Sequence, residues 1–305
     1  MPKLSALEQN GVVKMLLIGD SGTGKTGALA SLAAAGYKVR ILDYDKGVQP
    51  IYEALKKQGR MDALDNVIYE SLSDKMQVVG GNVIPRGVPT AVQDGLKLLD
   101  YWGPKSVKGA DDLGSPSKWG TGCVLVIDSL THLSNAAMRY TQTLSGNAGK
   151  NPTQPEWGNA QRIVEQMLTL LYSEEFNTNV IVTSHITYIQ SDNQLDNDGK
   201  PDGPIKGLPM ALGRSLPPKI PSYFNIMLGV ESRGTGQFAK RVLTTVPGNG
   251  INIKSPILTG IPAELPIETG LATYFDVMLG RKSGGSTAPT TAQGNGSPVP
   301  TTQAK

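Results

Sequence analysis

The sequence has only one cysteine, Cys123, in 305 residues. An internal disulfide is therefore excluded, and a reducing compartment such as the cytoplasm is the expected location. The sequence also lacks any uninterrupted apolar run long enough to cross a bilayer, so no membrane-spanning segment is expected.

Charge of either sign is scarce. Charged residues make up 18% of the chain, and the formal net charge is +3. Such a small positive charge permits nucleic acid as a partner but does not indicate one. Hydrophobic residues make up 39%. In a chain of this length they can form a sizeable core, either as one large α/β domain or as two small ones.

The strongest motif is a P-loop pattern, G-x-x-x-x-G-K-[ST], with a further glycine after it. Its residues are Gly19, Asp20, Ser21, Gly22, Thr23, Gly24, Lys25, Thr26 and Gly27. An apolar run at 15–18 before it predicts a buried parallel strand, and a segment rich in helix formers follows it. In such a loop backbone N–H groups surround phosphates, the lysine reaches the β/γ-phosphates and the threonine hydroxyl binds Mg²⁺. A chance match in a glycine-rich chain is the alternative, and the flanking strand and helix disfavour it.

The pattern along the chain predicts an α/β domain over residues 1–280, with a mostly parallel central sheet flanked by helices and a late antiparallel hairpin. Strands are expected at 12–18, 38–43, 66–69, 124–128, 179–183, 223–230 and 241–246, and helices at 50–58, 90–102, 129–138 and 159–172. Residues 103–122, 141–155 and 191–221 are expected to be long loops. From residue 281 the chain is of low complexity, which predicts a disordered tail.

Carboxylates end two of the predicted strands. Asp128 closes a fully apolar run in the manner of a Walker B acid, which organises the Mg²⁺ shell around the phosphates. Hydrolysis also needs a group that orients or deprotonates the attacking water. Asp43 and Asp45 are both available after the second strand. Asp45 is the preferred candidate, with an ordinary strand-end carboxylate as the alternative.

The segment 41–52 resembles the one that follows the second core strand of RecA-type recombinases. In that family an acid here activates water, and the tyrosine of a following Pro-Ile-Tyr stacks on adenine. Asp45 and Tyr52 fall at these positions. The strand that ends in Asp128-Ser129 is similar to the Walker B strand of the family.

The segment 179–185 resembles the family strand whose end senses the γ-phosphate, with His185 where recombinases have glutamine. Its Val-Thr-Ser-His-Ile ending is also similar to compact phage-type RecA-like ATPases that act in single-strand annealing and recombination. The resemblance implies ATP and Mg²⁺ as cofactors and the host cytoplasm as location if a phage encodes the chain. It also implies three kinds of partner: single-stranded DNA, further copies of the chain in a homo-oligomer, and a single-strand-binding protein.

The resemblance also places a DNA-binding loop in the segment 191–221. Lys206, Arg214 and Lys219 would contact phosphates there, and Tyr188 would stack on a base. A solvated flexible loop is the alternative for each of them. Arg214 or Arg241 would instead reach the γ-phosphate of a neighbouring subunit as an arginine finger.

The chain departs from the recombinase pattern in several ways. The candidate catalytic acid is Asp rather than Glu, the paired interface lysines are not evident in residues 241–250, and the N-terminal polymerisation helix and C-terminal domain have no counterpart. Filament assembly in the RecA manner is therefore in doubt.

A nucleotide-gated scaffold that does not bind DNA is the second hypothesis, and a P-loop kinase for a small acceptor is a weaker third. His132 is interpreted as a structural or surface residue. The segment Asp196–Gly199 is similar to the start of a calcium loop but lacks its closing Glu, and is interpreted as a turn.

Overall fold

A computed structural model describes residues 11–190, 205–234, 239–248, 250–256 and 260–281. The strands are β1 Lys14–Ile18, β2 Lys38–Asp43, β3 Val67–Ser71, β4 Met76–Val79, β5 Asn82–Pro85, β6 Gly120–Asp128, β7 Thr178–Ser184, β8 Ile186–Gln190, β9 Ile205–Pro209, β10 Ile226–Arg233, β11 Lys240–Thr244 and β12 Glu264–Pro266. The helices are α1 Lys25–Ala28, α2 Ala30–Ala34, α3 Gln49–Lys57, α4 Ala91–Asp100, α5 Leu130–Leu144, α6 Gln154–Tyr172 and α7 Gly270–Met278. The predicted tail from 282 onward and the segment 191–204 lie outside the described residues.

One large sheet organises the described residues, with strand order β12-β11-β10-β1-β7-β6-β2-β3. The strands from β10 to β3 pair in parallel, and β11 and β12 are added antiparallel at one edge. The predicted α/β fold is confirmed, including the late antiparallel pair. The P-loop strand β1 lies inside the sheet between β10 and β7, where its backbone groups are paired on both sides.

Both faces of the sheet are covered, which explains why its central strands are apolar throughout. Alternate residues of β1 enter different cores: Leu16 and Ile18 pack with α4, α5 and α6 on one face. Met15 and Leu17 pack with the two short helices α1 and α2, and with α3 and α7, on the other face. Among the described residues, no helix is both long enough and apolar enough to cross a bilayer.

Some elements differ from the sequence-based expectation. The pair β4–β5 forms a hairpin where a turn-rich break was expected, and β9 lies inside the segment predicted to be a loop. Helix α6 begins at Gln154 rather than 159 because Thr153 and Glu156 form a capping box at its start. The predicted loop at 141–155 is correspondingly shorter.

Asp74 connects three parts of the fold. Its carboxylate, 1% exposed, accepts the Ala91 N–H at 3.1 Å at the start of α4 and the Arg139 Nε–H at 2.9 Å from α5. We expect Asp74→Ala to reduce the free energy of unfolding by roughly 2–4 kcal/mol, because it leaves a partly buried guanidinium and a helix N–H without their acceptor. Urea denaturation measures this loss.

Asp62→Ala is the control, because Asp62 is 66% exposed and its salt bridge is to Arg60, two residues away on the surface. Surface pairs of this kind contribute little to stability. Equal losses in the two variants would contradict the role assigned to Asp74.

Candidate active site

The carboxyl ends of four adjacent parallel strands meet at one edge of the sheet. The loop after β1 is the P-loop, β6 ends in Asp128, β7 is followed by His185, and β2 is followed by the segment that contains Asp45. Because parallel strands end at the same edge, the topology brings together residues that lie far apart in the sequence. This edge contains the candidate site.

The P-loop backbone is shaped by its glycines. Gly24 has φ +103°, in the left-handed region that side chains other than hydrogen disfavour. A Cβ on Gly19 would lie 2.5 Å from the Val230 carbonyl oxygen, so only glycine fits against β10. The loop therefore needs both glycines to curve as it does.

Lys25 is held inside the curve of this loop. Its side chain, in a residue that is 6% exposed, donates to the carbonyl oxygens of Gly19 at 2.8 Å and Asp20 at 3.0 Å. Burial lowers the pKa of Lys25, and the charges of Asp128, Asp45 and Asp20 oppose that shift. The ammonium thus bonds to the loop's own carbonyl oxygens and is influenced by the charges of nearby acids.

Asp128 is 1% exposed and is held by two hydroxyls. Thr26 donates to Asp128 Oδ2 at 2.7 Å, and Thr183 on β7 donates to Oδ1. Burial raises the pKa of Asp128, while the two hydrogen bonds lower it. A hydroxyl and a carboxylate oxygen are hard donors of the kind that Mg²⁺ takes, so the pair fits the predicted metal role.

The structure separates the two acids that follow β2. Asp43 is 1% exposed, and its carboxylate accepts the N–H groups of Asp45 and Gly47, both at 3.2 Å. Burial raises the pKa of Asp43, and these N–H bonds oppose the shift. Lys46 between them has φ +58°, a strained conformation that this bonding helps to hold. Asp43 therefore shapes the loop that presents Asp45.

Asp45 itself points toward the two histidines of the chain. Its side chain is 30% exposed, with Oδ1 3.3 Å from His132 Nδ1 and Oδ2 3.9 Å from His185 Nε2. His185 Nδ1 in turn lies 3.3 Å from Lys25 Nζ. Burial lowers the pKa of His185, Lys25 adds to that shift and Asp45 opposes it.

Sequence reasoning missed His132. It lies in the first turn of α5, and its Nδ1 is 3.0 Å from the Ser129 hydroxyl as well as near Asp45. Helix α5 starts directly after Asp128, so its first turn faces the loop that follows β2. The only sequence signal was its position four residues after Asp128.

A cavity of about 1100 Å³ adjoins the outer side of the P-loop. Its walls are P-loop glycines, the side of α3 that carries Pro50, Glu53, Ala54 and Lys57, and residues of the strands β10 to β12, including Arg241. A Cβ on Gly24 would lie 2.9 Å from Arg241 Cδ. Arg241 thus lies against the P-loop of its own chain, and a role for Arg214 or Arg241 in a neighbouring subunit stays a prediction. Tyr52, 38% exposed, is not among the residues that line this cavity.

The residues proposed to bind DNA do not all project from one face of the β8–β9 hairpin. Tyr188 on β8 is 49% exposed, and its hydroxyl lies 3.3 Å from Asp20 Oδ2 of the P-loop. Lys206 on β9 pairs with Ile189, so it projects from the opposite face of this hairpin. Lys219 binds Glu165 of α6 at 3.2 Å, and Arg214 is exposed on the segment after β9.

A P-loop after the first strand of a parallel sheet, with a buried acid at the end of a nearby strand, defines a P-loop nucleotide-binding fold. A family model described as an AAA domain matches residues 12–257, and the chain belongs to this family.

Among solved structures, the chain is similar to a KaiC-like protein from Pyrococcus horikoshii, with 14% identity and a TM-score of 0.36 over 76% of this chain and 77% of that one. It is also similar to the flagellar accessory protein FlaH from Methanocaldococcus jannaschii, with 12% identity and a TM-score of 0.30 over 76% of each chain. No curated protein matches the sequence.

Proposed function

We propose that this protein is a Mg²⁺-dependent ATPase that acts on single-stranded DNA in recombination or annealing. The ATPase part is carried by one observation, the convergence of Lys25, Thr26, Asp128 and Asp45 at a single edge of the sheet. The finer assignment to the phage-type annealing ATPases belongs to this proposal. So do a homo-oligomer, a single-strand-binding protein as partner and a host-cytoplasmic location.

Each residue at the P-loop has a role that follows from its contacts. Lys25 would exchange its carbonyl partners for β/γ-phosphate oxygens, which carry full negative charge. Thr26 and Asp128 would hold Mg²⁺, which neutralises charge on the phosphates when bound. The adjoining cavity would take the nucleoside, with Arg241 beside the loop.

We assign Asp45 the role of general base, which orients the attacking water and accepts its proton. It is partly exposed, it is presented on a loop that Asp43 holds, and it shares the edge with Lys25. A carboxylate in this position can orient a water molecule and accept its proton. His185 lies between Lys25 and Asp45, so it would respond to whatever Lys25 binds. Base stacking by Tyr52 stays a prediction.

The β8–β9 hairpin supports the DNA part of the proposal. It begins directly after His185, and Tyr188 on its first strand touches the P-loop through Asp20. An exposed tyrosine offers a ring face on which any base can stack. A DNA strand bound at this hairpin would therefore lie beside the P-loop, which would link DNA binding to turnover.

A nucleotide-gated scaffold that does not bind DNA is the second candidate. It is favoured by the ion pair that engages Lys219 and by the opposite orientation of Tyr188 and Lys206 on their hairpin. A charge of +3 over the whole chain also gives little general attraction to phosphate backbones.

ATP turnover and DNA affinity separate the two candidates. We expect a thymidine oligonucleotide to stimulate turnover, and its affinity to fall as salt rises. Tyr188→Ala should weaken DNA binding roughly 5- to 150-fold, the cost of losing one stacked base. Tyr69→Ala is the matched control, because Tyr69 is 50% exposed on the far edge strand β3. If there is neither stimulation nor salt-sensitive binding, the scaffold hypothesis stands and the DNA proposal is wrong.

A further inference from the structure

We propose that Asp45, His132 and His185 form a binding site for a divalent first-row transition cation of the Zn²⁺ type, separate from the Mg²⁺ position at Thr26 and Asp128. The site needs no nucleotide, so it can be tested apart from the function proposed above, but it shares Asp45 and His185 with that function, and a bound ion would compete with their roles there. Its residues come from three segments: the loop after β2, the first turn of α5 and the residue after β7.

The geometry of the three side chains is that of a cation site. Each offers one ligand atom, and these atoms all lie within 4.8 Å of one another. A tetrahedral site with bonds near 2.1 Å places its ligand atoms roughly 3.4 Å apart. Asp45 Oδ1 and His132 Nδ1 are already 3.3 Å apart. Small rotations of the side chains would close the set around one ion.

The distance from Asp45 Oδ2 to His185 Nε2 supports a shared ligand. At 3.9 Å it is too long for a direct hydrogen bond. The alternative, a plain hydrogen-bonded triad, would leave this pair unsatisfied, whereas an ion between the two atoms would contact both.

The backbone N–H of each ligand residue donates a hydrogen bond to a side-chain oxygen, which holds that residue in place. Asp43 accepts the Asp45 N–H, the Ser129 hydroxyl accepts the His132 N–H at 3.4 Å, and the Thr131 hydroxyl accepts the His185 N–H at 3.2 Å. Rigid support of this kind lowers the cost of assembling a metal site. The chain has only two histidines, and the fold brings both to one carboxylate.

The ligand types decide the class of cation. Two imidazoles and one carboxylate suit first-row transition metals, whereas Mg²⁺ prefers oxygen ligands alone. Three protein ligands leave a fourth position open to solvent, as in catalytic zinc sites. The side chains of His132, Asp45 and His185 are 40%, 30% and 20% exposed, so an ion can enter without unfolding.

Lys25 supplies an internal test of the location. Its ammonium lies 3.3 Å from His185 Nδ1 and would repel a cation bound at the cluster. Lys25→Met removes that charge while retaining most of the side-chain volume. We expect it to bind the cation about tenfold more tightly, the effect of one unit charge acting on a divalent ion across a few ångströms of solvated protein.

The experiment titrates Co²⁺ into tag-free, nucleotide-free full-length protein. We expect one equivalent to bind with the visible absorption of tetrahedral Co²⁺, and Zn²⁺ to displace it. The single variants His132→Ala, His185→Ala and Asp45→Asn should each weaken binding by more than roughly 100-fold, the upper end of what a change outside the ligand shell costs. Asp62→Asn, an exposed acid paired with Arg60, is the control and should bind like wild type.

Three outcomes would overturn the proposal. The protein does not bind Co²⁺ stoichiometrically, or both histidine variants still bind it like wild type, or Asp128→Asn abolishes Co²⁺ binding while the histidine variants do not. The last would place the ion at the P-loop. A fourth, weaker Co²⁺ binding by Lys25→Met, would contradict the location beside His185. Circular dichroism of each variant confirms that it is folded. Because ATP turnover is not the readout, failure here leaves the proposed ATPase untouched.

Discussion

Lys25→Ala is expected to lower ATP turnover by at least on the order of 10²–10³-fold, as the loss of a charged group that stabilises a transition state does. Lys25 is 6% exposed and bonds to two P-loop carbonyls, and the charges of Asp128, Asp45 and Asp20 act on it. Among the described residues, no other lysine or arginine side chain donates a hydrogen bond to the carbonyl oxygens of this loop. Steady-state phosphate release measures the loss of turnover, and binding of a fluorescent ATP analogue measures whether nucleotide affinity also falls.

Lys97→Ala is the control for this substitution. Lys97 is an exposed lysine of α4 whose partner is Asp94 at 3.0 Å. It should hydrolyse ATP at the wild-type rate and melt at the wild-type temperature. If Lys25→Ala also retains wild-type turnover, the P-loop is not where this protein holds its phosphates.

Asp45→Asn is expected to have the second-largest effect. Loss of a general base costs typically 10²–10⁴-fold in turnover. Nucleotide affinity should change little, because Asp45 is not part of the P-loop and the pair Thr26–Asp128 remains intact. Single-turnover hydrolysis together with equilibrium ATP binding separates the chemical step from affinity.

Asp43→Asn is the matched control for Asp45→Asn. It makes the same chemical change two residues away, and the carboxamide oxygen can still accept the N–H groups of Asp45 and Gly47. Turnover should therefore be reduced far less than in Asp45→Asn. A larger loss in Asp43→Asn than in Asp45→Asn would mean that the two acids have been given each other's roles.

The sequence predicted the parts of the site that local pattern determines. An apolar strand, a glycine-rich loop and a helix-forming segment stand in immediate succession around Lys25, so their contacts are short in sequence. Asp128 was found for a similar reason, as an acid at the end of a buried strand. The parallel order of the sheet then followed from alternating strands and helices.

Other features depend on packing between distant segments. Whether Asp43 or Asp45 faces the site is decided by the loop that Asp43 holds, which includes a left-handed Lys46. His132 meets Asp45 because α5 starts beside the loop after β2, a contact between residues 87 positions apart. No local pattern contains that information.

The direction in which each side chain projects from α3 explains why Tyr52 does not face the cavity. Ile51 and Leu55 are buried against the sheet, and Pro50, Ala54 and their neighbours one turn apart face the cavity. Tyr52 falls outside both sets. The helical period was visible in the sequence, but which side of α3 faces the cavity was not.

The bonds that Lys25 makes to the carbonyls of Gly19 and Asp20 have a kinetic consequence. An arriving triphosphate competes with the loop's own oxygens for the same ammonium, so loading proceeds by encounter followed by an exchange of partners. The maximum rate of nucleotide binding is then set by this exchange of partners rather than by diffusion. The observed association rate therefore levels off as the nucleotide concentration rises.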